Sequence, residues 1–95
     1  MAQRPPAQIE DMRTLYYGDV QPYRELLKKK MPKVPDYLVL IYWPVDKTYC
    51  ILGTDARFEH WDDYTNYTFK ALEPALEFPD TILRLPDDFS WVKYS

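Results

Sequence analysis

The chain has 95 residues, with 12 basic and 15 acidic side chains, one cysteine, two glycines and nine prolines. That length holds a single domain, and the lone cysteine excludes an internal disulfide and fits a reducing, intracellular compartment. Two glycines cannot build a glycine-rich phosphate loop, no stretch approaches the roughly 20 apolar residues of a membrane span, and the acidic balance argues against direct nucleic-acid binding.

The charge is uneven. Residues 1–54 carry eight basic and six acidic side chains, whereas residues 55–88 carry three basic and nine acidic ones. Nine Tyr, three Trp and four Phe make the chain rich in aromatics. Such rings fill small cores, and Tyr and Trp also suit interfaces because one end stays polar.

Residues 1–8 read as an extended arm, since Pro5-Pro6 favours a polyproline conformation and no apolar signal-peptide core is present. Residues 9–95 then form one α+β domain. Ile9, Met12 and Tyr16 have helical spacing with Gly18 as a stop, yet Thr14-Leu15-Tyr16-Tyr17 equally suits a strand, so residues 9–17 stay open. An N-terminal helix starts at Asp19 or Gln21, with Pro22 in its first turn and Lys28-Lys29-Lys30 complementing the dipole in its last. Few glycines predict little backbone at positive φ.

A central β-hairpin covers about 37–53. Tyr37, Val39, Ile41 and Trp43 alternate with Leu38, Leu40 and Tyr42, and both sets are apolar, so this strand is expected to be covered on both faces. Pro44-Val45-Asp46-Lys47 forms a four-residue loop. Tyr49 and Ile51 then face away from Cys50 and Leu52. An amphipathic helix over about 56–73 is predicted from Phe58, Trp61, Tyr64 or Thr65, Thr68 and Leu72, ended or kinked by Pro74. One or two short C-terminal strands follow, one over Asp80–Leu85 and one around Phe89–Tyr94.

No catalytic constellation stands out. Asp55, Glu59, His60, Asp62 and Asp63 bring an imidazole near carboxylates, which is the raw material of a metal or proton-transfer site. A single histidine without HExxH or CxxC spacing is weak support, and acids near a helix start also satisfy its dipole. No catalytic residue, cofactor or metal is therefore assigned, and the chain reads as a non-enzyme. The expected function is a non-catalytic protein-binding module, an accessory subunit or adaptor that docks on another protein or complex. Trp43, Asp55, Glu59, His60, Asp62, Asp63 and Tyr67 are the candidate contact residues. The alternative is a small acidic inhibitor or immunity-type protein, phage-encoded ones included, that blocks a basic site. A small enzyme or metal protein using His60 ranks third. If one face of the hairpin is left uncovered, Trp43 and Tyr42 mark the place where a partner would sit. A homodimer stays open.

Overall fold

A computed structural model describes residues 4–61 and 66–94. Its architecture follows from Tyr37–Trp43, the third strand (β3), which carries apolar side chains on both faces. Leu38 and Leu40 on one face and Val39 and Ile41 on the other are all fully buried. A strand of this kind belongs in the middle of a sheet, and β3 pairs antiparallel with Met12–Asp19 (β2) on one side and Thr48–Thr54 (β4) on the other. Gln8–Ile9 (β1) precedes β2, and Asn66–Phe69 (β5) follows β4, giving the order β1-β2-β3-β4-β5. Val92–Lys93 (β6) pairs with Tyr16 and Tyr17 of β2, on the stretch that β1 leaves unpaired.

The described helices cover only one face. A 3-10 turn at Gln21–Tyr23 runs into the short helix Arg24–Leu27 (α1), and Leu72–Thr81 (α2) lies over the other end. Between them and the sheet lies the larger core, built on Val20, Leu27, Leu38, Leu40, Ile51 and Phe78. Phe78 is fully buried and packs against Tyr67 and Phe69 of β5, with ring centroids 4.5 and 6.0 Å away. The opposite face, called here the far face, holds a smaller core of Val39, Ile41, Cys50 and Phe58, flanked by Ile9, Met12, Leu52 and Trp61. A bulge between Thr14 and Tyr16 turns both Leu15 and Tyr16 toward the helix-side core.

The α+β class and the 37–53 hairpin are as the sequence predicts, and residues 9–17 settle as strand on either side of a Glu10-Asp11 turn, not as helix. The N-terminal helix is shorter than its apolar pattern, ending at Leu27 before a turn through Lys30. The helix expected over 56–73 is not formed by the described residues of that span: 56–58 turn, 59–61 run irregularly and 66–69 form β5. Tyr67-Thr68-Phe69 favours strand by its aromatic and β-branched content, and its alternation puts Tyr67 and Phe69 on the helix face. Tyr64 and Thr65 lie outside the described residues.

Pro74 acts in the opposite sense from the stop expected of it. It sits in the first turn of α2, where its missing N–H is one that no helix would have satisfied. Asp80–Leu85 is not a strand either. Helix α2 runs to Thr81, and the chain closes it by Ile82 N–H and Leu83 N–H donating to the Phe78 carbonyl and Leu85 N–H to that of Pro79. Leu83 and Leu85 are buried while Arg84 is exposed, so the alternation was real although its conformation was not strand. Lys30 adds a bond from its ammonium to the Leu83 carbonyl and joins the turn after α1 to the end of α2.

The scarcity of glycine does not keep the backbone out of the left-handed region. Glu10, Lys47, Phe58 and Arg84 all have φ between 54° and 59°. Each of these costs about 1–2 kcal/mol relative to glycine, which tertiary contacts must offset. Neither glycine has a positive φ. Gly18 instead makes room: a Cβ there would lie 2.6 Å from Phe89 Cζ, and that ring is wedged between Tyr23 and Trp91 at 6.2 and 5.5 Å.

Two substitutions test these points by urea denaturation. Arg84→Gly removes left-handed strain at an exposed site and is expected to stabilise the fold by about 0.5–1 kcal/mol after the entropy glycine adds to the unfolded chain. Gly18→Ala overpacks the Phe89 seat and is expected to cost about 1–3 kcal/mol, with part of the loss recovered by Phe89→Leu.

Candidate protein-docking site

Among the described residues the far face is closed by side chains and one loop rather than by a helix, and it is closed unevenly. At one end, the loop after β4 brings Phe58 over Tyr37, with ring centroids 4.8 Å apart, and Trp61 packs beside them. At the other end no described loop or helix covers the sheet. Trp43, the last residue of β3, shares its face with Val39 and Ile41 and is 37% exposed. Arg13 pairs with Tyr42, so the preceding Met12 lies on the far face next to Trp43. Cys50 and Leu52 of β4 continue the floor. The tip of the β1–β2 hairpin forms the rim. Ile9 pairs with Met12 across a two-residue turn of Glu10 and Asp11, with Glu10 at positive φ and its carbonyl accepting a 2.8 Å bond from Gln8 Nε2. Glu10, Asp11, Met12, Trp43, Cys50 and Leu52 together line a cavity of about 240 Å³.

This is a small space. Pockets for cofactors and drug-sized ligands run from about 300 to 1,000 Å³. At about 30 Å³ per water in the liquid, 240 Å³ equals about eight waters, which is room for one side chain. The floor is apolar, the rim is acidic, and among the described residues no buried side-chain polar atom lacks a partner. Cys50 is buried, with its Sγ 3.7 Å from Thr68 Oγ1.

The acidic segment after β4 is built differently. Asp55 Oδ1 accepts bonds from the backbone N–H groups of Glu59 and His60 at 2.7 and 3.0 Å, and Asp55 Oδ2 lies 3.2 Å from His60 Nδ1. The Thr54 hydroxyl donates to the His60 carbonyl at 2.9 Å and lies 3.2 Å from Asp55 Oδ1. The backbone N–H of His60 is the main reason the Asp55 carboxyl is held well below the usual carboxylate range; the bonds from Glu59, the His60 ring and Thr54 add to it. Donor atoms of Asp55, Glu59 and His60 all lie within 4.8 Å of one another, as a cation site would require. The bonds around Asp55 already account for that closeness, because they close the loop 55–60 that seats Phe58.

The candidate contact residues of the sequence therefore do not form one patch. Trp43 pairs with Thr48 at one end of β4, and Asp55, Glu59 and His60 follow Thr54 at the other, roughly 20 Å away at 3.3 Å per residue. Tyr67 lies on the helix face against Phe78. Asp62 and Asp63 lie outside the described residues. Tyr42 also points to the helix face, with its ring 5.0 Å from that of Tyr49. Trp43 is joined instead by Glu10, Asp11, Met12, Cys50 and Leu52, none of which was marked as a contact. The signal for them lay in the far-face parity of Cys50 and Leu52 and in the polar pair Glu10-Asp11 set between Ile9 and Met12.

A second cavity of about 240 Å³ lies where residues 85–91 cross α2, with Asp80 and Asp87 at its edge. Trp91 Nε1 donates to the Leu76 carbonyl there at 2.9 Å, which fixes the C-terminal segment on the helix. No described helix is long and apolar enough to cross a membrane. Compared with known proteins, the chain matches no family model, no curated protein and no solved structure.

The Asp55 loop gives a pH-dependent prediction. A carboxyl that binds protons less readily when folded than when unfolded stabilises the fold fully above the ordinary carboxylate range, and that contribution is lost as pH falls below about 4. Asp55→Ala is expected to cost about 1–3 kcal/mol at pH 7, read from urea midpoints. The gap between variant and parent should narrow steadily from pH 4 downward.

Proposed function

We propose that this protein is a non-catalytic binding module that docks on another protein through the open end of its far face, centred on Trp43. The observation that supports this reading is the cavity itself: an apolar floor with a half-exposed tryptophan, on the face that no described helix covers. Tryptophan dominates the binding energy of interfaces when it enters or lines a pocket ringed by other contacts. The enclosed volume suits one partner side chain rather than a cofactor, in keeping with a role as accessory subunit or adaptor in an intracellular complex. Of the candidate contact residues Trp43 is kept and Asp55 is set aside, because the Asp55 carboxylate is engaged inside its own loop.

A small acidic inhibitor that blocks a basic site is the second reading. The rim of Glu10 and Asp11 beside Trp43 is what favours it, since it places negative charge at the edge of the same cavity.

Affinity capture from the native source, with the partner quantified, tests the module. Trp43→Ala should weaken the complex at least about 30-fold, equal to about 2 kcal/mol, while Tyr67→Ala leaves it nearly unchanged. A chain that is partner-free in its host, or a complex that Trp43→Ala leaves intact, overturns the reading.

A further inference from the structure

We infer that the Trp43 cavity takes one long cationic side chain, an arginine or a lysine, from a basic segment of the partner; this rests on the docking reading above. Three features converge on that chemistry. The floor of Met12, Leu52 and Cys50 is apolar and suits the methylene stem that such side chains bury while the head stays polar. Trp43 offers the ring best suited to attract a cation. Glu10 and Asp11 stand at the rim, are exposed, and join no ion pair among the described residues. Their turn is fixed by the Gln8–Glu10 bond and the Ile9–Met12 pairing, so the backbone that carries both acids is held at the edge of the cavity that Trp43 lines.

The alternatives fit less well. An apolar side chain would fill the floor but gain nothing from the two exposed acids at the rim. An acidic side chain would meet like charge. A bound small molecule would need more volume than the cavity has. A cationic side chain satisfies the floor, the indole and the rim together, and a charge-assisted bond to Glu10 or Asp11 sets its depth.

The probes are blocked single residues, titrated into isotope-labelled protein and followed by nuclear magnetic resonance at low ionic strength. Acetyl-arginine methylamide and acetyl-lysine methylamide should shift the Trp43 indole N–H and the Met12 and Cys50 amide signals saturably. Acetyl-citrulline methylamide, which has nearly the shape of arginine without its charge, and acetyl-norleucine methylamide should bind roughly five- to tenfold more weakly. The double variant Glu10→Gln/Asp11→Asn, with its fold checked by an otherwise unchanged spectrum, should lower arginine to the citrulline level. Equal binding of citrulline or norleucine, shifts confined to another surface, or no saturable response each overturns the inference. If Trp43→Ala still breaks the native complex while the double variant does not, the docking reading stands and the cationic occupant falls.

Discussion

A strand with apolar side chains on both faces has to be covered twice, and most of this fold answers that demand on β3. Leu38 and Leu40 require one layer and Val39 and Ile41 another. The chain supplies two helices to the first and no helix among its described residues to the second. The far face is covered instead by the β1–β2 hairpin at one side and by the loop after β4 at the other. The cavity at Trp43 lies at the end that this loop does not reach. The candidate site is thus the remainder of a core problem solved on one side by helices and on the other by hairpin and loop.

Economy in glycine shapes how those coverings are held. Four turns are built with side chains in the left-handed region, and each is held by contacts that outweigh the local cost. Phe58 is buried against Tyr37, Glu10 is tied by Gln8, and Arg84 sits where three carbonyl bonds close α2. Gly18 is reserved for a place where no side chain fits, beneath the ring of Phe89. The Asp55 loop shows the same logic in polar form: one carboxylate gathers two backbone N–H groups, and the buried Phe58 follows.

The hairpin was legible in the sequence because alternation over Tyr37–Trp43 and Thr48–Thr54 is strong and local, with partners a few residues apart. The segment 56–73 was not, because residues three and four apart imitate a helical stripe when Phe58 serves a loop, Thr68 a strand and Leu72 the start of a later helix. Proline was misread in position rather than in kind: Pro74 obeys the rule for helix starts, and the buried Pro79 falls near the end of α2. The site was half legible. Trp43 stood out as the end of an apolar strand and Cys50 and Leu52 follow from the same hairpin, whereas Glu10, Asp11 and Met12 depend on β2 meeting β3, a pairing set by contacts across some two dozen residues and a bulge.

The pairing of β6 with β2 also orders assembly in time. Val92 meets Tyr17, and Phe89 and Trp91 approach Gly18, so β2 waits for an outer neighbour that lies about 75 residues further along the chain. Until then β2 keeps part of one edge open, and the helix-side core lacks the aromatic wedge at Phe89. Distant contacts of this kind slow folding because loop closure comes before the contact energy is gained. A folding chain is therefore most exposed to association through that edge in the interval before β6 docks on it.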